Sequence, residues 1–261
     1  MKILVCSFAM MLLAHSAYAQ SGLPSSKATA DVNVLVRCTM STQTINDAGV
    51  QVPANCVDLF TGAQVDTTGG WIEIMSKPVK LSSSQSLFVS PSLVSGLYTR
   101  TRTKTQDGST STAQAMGGVY MRAVLTPEGG GADIVAAPLN LCSTSIFGCA
   151  APETDKWGVV LDSRIQTLTQ DITACTTLTN GVAGTCDFTS TIDFVLQTAS
   201  GNTFNFIFPN VGQGTYTLKI YAAVGSSASV IGSGTAVGAA AFGLGSVTAE
   251  TVRLVHGFTF Q

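Results

Sequence analysis

The chain of 261 residues combines 45% hydrophobic residues with only 11% charged ones, and its formal net charge is −2. A soluble domain carries roughly 25% charged residues, so this composition fits neither a highly charged disordered chain nor a helical repeat rich in Glu, Lys and Arg. The slight acidic excess argues against binding of a nucleic-acid backbone, which requires a basic face. The polar residues are mostly Ser, Thr, Asn, Gln and Gly, which is typical of an exported β-protein.

The first residues predict export. Lys2 supplies a positive charge, residues 3–14 form an almost unbroken apolar run, and Ala17-Tyr18-Ala19 is a small-x-small cleavage sequence. Together these are the parts of a secretory signal peptide. An uncleaved anchor is the weaker alternative, because the run is shorter than the roughly 20 residues that a spanning helix needs. We therefore predict a signal peptide over residues 1–19, cleaved near Ala19, and a secreted or periplasmic mature chain without a membrane span.

The cysteines predict disulfides rather than a metal site. Cleavage removes Cys6 and leaves six of the seven cysteines. An even number in an oxidising compartment predicts three disulfides, although many connectivities are open. The cysteines fall into three close pairs, so the preferred bridges are Cys38–Cys56, Cys142–Cys149 and Cys175–Cys186. Zinc is disfavoured because the mature chain has no C-x-x-C and a single histidine, His256. No cofactor is expected.

Alternation of apolar and polar residues predicts strands along the mature chain. In chain order the alternating windows are 32–36, 71–74, 99–104, 192–197, 204–208, 216–222 and 251–254. Turn sequences lie at 106–109 and 127–131, and no long window has a convincing helical period with caps. This pattern predicts an all-β antiparallel sandwich, and the chain length favours a jelly roll. We expect residues 20–261 to form one domain, with a split near 127–152 as the alternative.

Two windows near the C-terminus predict local arrangements. Turn residues at 200–202 and 209–214 are spaced as in hairpins, which predicts a three-strand antiparallel run over residues 189–223. No residue between Lys219 and Glu250 is charged, and residues 226–245 are almost all Gly, Ala, Ser, Val and Thr. We expect a flexible loop there, followed by small-residue strands that pack closely or self-associate.

A basic ladder, defined as Arg100, Arg102 and Lys104, is the strongest local charge feature. On a strand these side chains share one face, and the intervening threonines take the other. The ladder could attract anionic groups of glycans or of the cell surface. The simpler interpretation is a solvated strand face whose charges discourage edge-to-edge pairing.

Other candidates for ligand contact are tryptophans. Trp157 follows a charged stretch at the start of a predicted strand, where a half-exposed ring beside charged groups can stack on a sugar. Trp71 is the less favoured candidate, since Trp is highly buried on average.

The search for catalytic groups is mostly negative. The chain lacks G-x-S-x-G, a P-loop and an EF-hand loop. Paired carboxylates could support glycoside hydrolysis, and the candidates are Glu153, Asp162, Asp171 and Asp193. We therefore favour an exported β-sandwich with a non-catalytic binding or structural role at the cell surface or in the extracellular matrix. A polysaccharide-acting enzyme and a surface-fibre or adhesin subunit are the alternatives. The expected partners are glycans, anionic surface groups or further copies of the chain.

Overall fold

The computed structural model describes residues 28–52, 56, 70–106, 108–137, 158–172, 176–179, 182–185 and 189–252. These residues form β1 Ala28–Asn33, β2 Arg37–Ile45, β3 Ile72–Leu81, β4 Gln85–Gln106, β5 Thr110–Pro127, β6 Ile134–Val135, β7 Val159–Asp171, β8 Thr176–Thr179, β9 Val182–Thr185, β10 Thr189–Thr203, β11 Phe206–Val211, β12 Gly214–Ile231 and β13 Gly234–Val252. The all-β prediction is confirmed. The predicted signal peptide lies outside the described residues.

Two antiparallel sheets pack face to face. In the first sheet, β13 and β4 are the central strands; β1 and β2 pair with the outer side of β13, and β10 and β11 pair with the outer side of β4. In the second sheet, β12 and β5 are central; β3 flanks β12, and β6 and β7 flank β5. The short β8–β9 hairpin stands apart from both sheets.

The order of these strands is that of a jelly roll. Three sets of consecutive strands each share one side of a neighbour and are counted as one row: β1 with β2, β6 with β7, and β10 with β11. Together with the single strands β3, β4, β5, β12 and β13, they make eight rows in the two sheets. The first row pairs with the eighth, the second with the seventh, the third with the sixth and the fourth with the fifth. A long antiparallel hairpin folded over on itself gives this pairing, and it closes the two sheets around one core.

The core changes character along β4. The first half of this strand buries Leu87, Val89, Leu93 and Leu97, which pack among large side chains such as Phe206 and Leu218. The second half buries hydroxyl side chains instead, at Thr99, Thr101, Thr103 and Thr105. Glutamines of β7 face them: Thr99 donates to Gln166 at 2.5 Å, and Thr103 donates to Gln170 at 2.9 Å. Because buried hydroxyls need partners, this half of the sandwich is held by a polar network.

Small residues bring the two sheets into close contact at the centre. A Cβ atom on Gly117 would lie 2.5 Å from the carbonyl oxygen of Ala239, and one on Gly238 would overlap the carbonyl oxygen of Met116. The Gly- and Ala-rich sequence therefore makes a close sheet-to-sheet contact. The flexible loop expected in residues 226–245 is wrong, because β12 and β13 occupy this region and are joined by a short turn at Gly232.

The predicted three-strand run over residues 189–223 is also wrong. β10 and β11 both pair with β4 and not with each other, and β12 belongs to the second sheet. The turn sequence at 200–202 lies inside β10, so alternation located the strands, but the spacing of turn residues did not reveal their partners. In this jelly roll, most successive rows lie in different sheets, and only the fourth and fifth rows pair with each other.

The predicted strand at 32–36 is interrupted. β1 ends at Asn33 and β2 begins at Arg37. The reason lies in the Asn33 side chain, whose Oδ1 accepts from the Leu35 amide at 2.9 Å while its Nδ2 donates to the Leu35 carbonyl at 3.1 Å. These local bonds replace ladder hydrogen bonds, as Asn side chains commonly do in turns.

Candidate functional site

The basic ladder lies on the outer face of the first sheet. Arg100, Arg102 and Lys104 alternate with fully buried threonines, so the predicted division of faces is confirmed. The strand that carries them is central, with β13 on one side and β10 on the other. The charges therefore do not protect a free strand edge, and that part of the simpler interpretation is wrong.

Asp193 on β10 neutralises the first half of the ladder. Its Oδ1 accepts from Arg100 Nε at 3.0 Å and its Oδ2 accepts from Arg100 Nη2 at 2.6 Å, which is a bidentate pair. Arg102 Nη1 approaches the same carboxylate at 3.4 Å. The hydrogen bonds from Arg100 hold the pKa of the Asp193 carboxyl below its usual value, and Asp193 raises the pKa of the Arg100 guanidinium.

Asp47 is a second partner of Arg102. Arg102 Nε lies 3.0 Å from Asp47 Oδ2, and the same oxygen accepts from the Thr235 hydroxyl at 2.9 Å. Asp47 is only 3% exposed, so the pair is largely shielded from water. Within the described part of the chain, Lys104 makes no ion pair, and it lines a polar depression of about 340 Å³ with Ser109, Ser111 and Gly232. An anion that approached the two arginines would have to compete with carboxylates of the chain itself.

A second cluster of polar and aromatic side chains lies on the outer face of the second sheet. Tyr221 of β12 is directly opposite Glu73 of β3 on one side and Arg122 of β5 on the other. Its hydroxyl lies 3.5 Å from Glu73 Oε2, at the limit of a hydrogen bond. Three neighbouring strands thus place a carboxylate, a phenol and a guanidinium in one line, because directly opposed residues project from the same face.

Trp71 completes this cluster. The guanidinium carbon of Arg122 lies 4.7 Å from the centroid of the Trp71 ring and 4.8 Å from that of the Tyr221 ring. Both distances are within the range of cation–π attraction. The ring of Trp71 also lies against Gly158, where any Cβ atom would overlap it. A glycine just before β7 therefore seats the indole.

Tyr120 extends the same surface. It lies two residues before Arg122 on β5, and its ring covers the backbone of the second sheet at Gly118 and Gly225. Burial raises the pKa of its phenol. We call Trp71, Glu73, Tyr120, Arg122 and Tyr221 the aromatic row. Apart from the exposed Glu73, its members are half-buried, so each has a fixed position and a solvent-facing part.

The three candidate carboxylates that the structure describes do not come together. Asp162 and Asp171 lie nine residues apart on β7, which is about 30 Å along an extended strand and too far for a glycosidase pair. Asp162 accepts hydrogen bonds from Ser95 and Asn202 at the sandwich interior, whereas Asp193 lies on the outer face with the arginines. Glu153 lies outside the described residues.

The Cys38–Cys56 bridge is confirmed. Both cysteines are buried and pack against Ala241 of β13. The bridge therefore fastens Cys56 to β2 of the first sheet. The other predicted disulfide residues, Cys142, Cys149, Cys175 and Cys186, lie outside the described residues, as do Trp157 and His256.

Two kinds of site receive no support from the described ranges. In them, no three His, Cys, Asp or Glu side chains are grouped so as to hold a metal ion. The same ranges contain no helix with the length and apolar character needed to cross a membrane.

Sequence reasoning identified Trp71 but missed most of the aromatic row. Tyr221 falls within the alternating window 216–222, but nothing in that window marks it as a ligand contact, and Arg122 carries no local signal. The two residues are about one hundred positions apart in the chain, and only the pairing of β12 with β5 makes them neighbours. A pattern confined to one strand cannot reveal such a cross-strand contact.

Comparisons with known proteins give no family. The sequence matches no family model and no curated protein. Among solved structures, the chain is similar to "Structure of infectious bursal disease virus Gx strain", with 10% identity, a TM-score of 0.22 and coverage of 88% of this chain and 42% of that one. The corresponding structure of the Gt strain gives 10% identity, a TM-score of 0.13 and coverage of 90% and 47%. The chain thus spans less than half the length of each of these two chains.

Proposed function

We propose that this chain is an exported jelly-roll protein with a non-catalytic binding role at the cell surface or in the extracellular matrix, and that its ligands are glycans. The observation that carries the proposal is the aromatic row. It joins two half-exposed rings, those of Trp71 and Tyr221, to the guanidinium of Arg122 and the carboxylate of Glu73.

The chemistry of this surface suits a sugar. A pyranose presents a C–H face that packs on an aromatic ring, and its rim carries hydroxyl pairs that accept from a guanidinium or donate to a carboxylate. Arg122 is fixed by contact with both rings, so little side-chain entropy would be lost on binding. The neutralised ladder on the other sheet is less suited, because Arg100 and Arg102 already have acidic partners.

Export to the cell surface or periplasm rests on the sequence of residues 1–19. Expression of the full chain in a secreting host should release a protein whose first residue is Gln20, as read by intact mass and N-terminal sequencing. A retained Met1 on a membrane-bound protein would contradict this part of the proposal.

Glycan binding is tested with the mature protein on a glycan array, followed by titration calorimetry on any hit. Trp71→Ala and Arg122→Ala should each weaken binding by about tenfold or more, which corresponds to one good contact. Phe88→Ala is the matched control, since Phe88 is a partly exposed aromatic residue on the first sheet. Equal binding by all variants, or a blank array, would overturn the assignment.

A second candidate function, a subunit of a surface assembly, is favoured by one observation. β10 is exposed over its whole length from Thr191 to Gly201 and carries large apolar side chains. Such a strand at a sheet edge is uncommon in a protein that acts alone.

A further inference from the structure

Lys104 is the last member of the basic ladder, and its surroundings differ from those of the two arginines. Arg100 and Arg102 each have a carboxylate partner. Across the residues that the structure describes, Lys104 has no ion pair, although it is half-buried. Lysine is rarely removed from water without a partner. The ladder therefore ends in a cation whose charge can be given to a ligand.

A polar depression of about 340 Å³ surrounds this cation. It lies between the end of β4, the start of β5, the residue after β2 and the turn that joins β12 to β13. Its lining includes the amide side chains of Asn46 and Gln106 and the hydroxyl groups of Ser109 and Ser233. None of its described lining residues is Asp or Glu. The depression therefore combines one positive charge with neutral hydrogen-bonding groups.

Two carboxylates lie beside the depression, and both have partners of their own. Asp47 directly follows a lining residue, but its Oδ2 lies 3.0 Å from Arg102 Nε. Asp171 Oδ1 accepts from Thr110 Oγ1 at 2.9 Å. An anion that binds Lys104 would therefore not have to displace an acidic side chain, as it would at the arginines.

Hydrogen bonds to the backbone hold the walls of the depression in place. Ser109 Oγ donates to the Gln106 carbonyl at 2.7 Å and accepts from the Gln106 amide at 3.1 Å. Ser111 Oγ donates to the Lys104 carbonyl at 3.1 Å and accepts from the Ser233 amide at 3.1 Å. The site is therefore preformed, which reduces the entropy lost when a ligand binds.

Gly232 brings the turn between β12 and β13 against this wall. Its φ is 83°, in the left-handed region, and a Cβ atom there would lie 2.8 Å from both Ser111 Oγ and the Thr110 carbonyl oxygen. Glycine is the residue that tolerates both conditions. The turn therefore lines the depression with backbone at this position, without a side chain that would fill it.

The size and polarity of the depression indicate the ligand. If each water molecule occupies about 30 Å³, the volume holds on the order of ten waters. A single small anion would leave much of this space empty, whereas a sugar ring with its substituents would fill it. A sugar that carries a carboxylate or a sulfate offers an anion to the ammonium group and hydroxyls to the amides and hydroxyls of the walls.

We propose that this depression binds one anionic sugar residue, a uronic acid or a sulfated hexose, with its acidic group on Lys104. The inference does not rest on the aromatic row. Thr110, which borders the depression, and Arg122 of the row are twelve positions apart on β5, about 40 Å along an extended strand. One sugar residue cannot contact both sites.

The first test compares methyl β-glucuronide with methyl β-glucoside, which share a ring and differ in the carboxylate. Amide shifts of the mature protein in NMR titrations should give a dissociation constant on the order of 1 mM for the glucuronide, with the shifts centred on Lys104 and Ser233. The glucoside should bind at least tenfold more weakly, and the 6-sulfate of the glucoside should bind like the glucuronide. Acetate and inorganic sulfate should also bind at least tenfold more weakly, because they do not reach the polar walls.

The second test changes the cation. Lys104→Gln should weaken glucuronide binding about tenfold or more, whereas Lys104→Arg keeps the charge and should bind within about threefold of wild type. Lys80→Gln is the matched control, since it removes the same charge from β3 of the second sheet. Circular dichroism would confirm that all three variants fold.

Several outcomes would overturn the proposal. They are an absence of shifts at about 10 mM glucuronide, tenfold above the expected dissociation constant, equal binding of glucuronide and glucoside, and undiminished glucuronide binding by Lys104→Gln. Inorganic sulfate that bound as tightly as the glucuronide would show an adventitious anion only. Arg122→Ala should leave the glucuronide shifts unchanged, and Lys104→Gln should leave binding of neutral glycans unchanged. Failure at either site is therefore distinguishable from failure at the other.

Discussion

Asp193 and Arg100 form a bidentate ion pair across two neighbouring strands, with nitrogen-to-oxygen distances of 3.0 and 2.6 Å. The pair joins β10, a strand exposed along most of its length, to the central strand β4. The large apolar side chains of β10 are exposed, so polar side-chain contacts such as this ion pair help to hold the strand in its register.

Asp193→Asn should therefore lower the free energy of unfolding at pH 7 by about 1 kcal/mol, as expected for a partly exposed but bidentate pair. The folded-state pKa of Asp193 is lowered. Its contribution is thus present above the unfolded value of about 3.9 and is lost as the pH falls through the lower folded value. Urea denaturation from pH 7 to pH 3 should show the difference between wild type and variant shrinking below about pH 4. Asp171→Asn, at an exposed carboxylate that accepts from Thr110, is the control.

The close contact between the sheets gives a second prediction. Gly117→Ala should lower the free energy of unfolding by about 2–3 kcal/mol, because the added methyl group meets the backbone carbonyl of Ala239, which cannot rotate away. Gly201→Ala is the matched control: it lies in a strand and no atom lies within 4 Å of its added Cβ. Thermal and urea denaturation would measure both. Equal stability of the two variants would contradict the close packing at Gly117.

These glycines illustrate which parts of the fold the sequence predicts. Alternation placed the threonines and the basic side chains on opposite faces of β4, since each strand's face pattern is written in adjacent residues. The partners of β10 and β12 could not be obtained in this way, because register and neighbours depend on residues far away in the chain. The same holds for the aromatic row, whose members lie on three strands or, for Trp71, directly before one of them. The absence of charge between Lys219 and Glu250 is likewise compatible with either a loop or a close contact between the sheets. The difference depends on the backbone of the opposite sheet, which the local sequence does not reveal.

The polar half of the core gives a third prediction. Gln170 is 8% exposed, and its Oε1 accepts from Thr103 at 2.9 Å and from Thr105 at 3.2 Å. Gln170→Ala should lower the free energy of unfolding by about 2–3 kcal/mol, since two buried hydroxyls lose their acceptor. The combination of Gln170→Leu with Thr103→Val and Thr105→Val should recover most of that loss, because no polar group is then left unpaired. A triple variant no more stable than Gln170→Ala would show that shape, and not hydrogen bonding, dominates at this position.

The confirmed disulfide gives a fourth prediction. Cys38 and Cys56 are 18 positions apart, so the bridge closes a short loop. Replacing both by Ser should lower the free energy of unfolding by about 3 kcal/mol, through the greater freedom of the unfolded chain. Guanidinium denaturation of the oxidised proteins would measure this. Wild-type protein treated with a reductant should lose at least as much stability as the double variant, because a reductant also opens the other two predicted bridges.

The remaining two bridges are tested by peptide mapping without reduction, and we expect Cys142–Cys149 and Cys175–Cys186 beside Cys38–Cys56. The second of these has support from the described hairpin, in which Thr176 of β8 is paired with Thr185 of β9. Cys175 directly precedes the first of these threonines and Cys186 directly follows the other. Paired residues of antiparallel strands have Cα atoms about 4.5–5.5 Å apart, which is the span of a disulfide. Free thiols on Cys142 and Cys149 would contradict the three-bridge interpretation. A disulfide-linked peptide containing Cys175 and Cys186 would confirm the bridge predicted beside the β8–β9 hairpin.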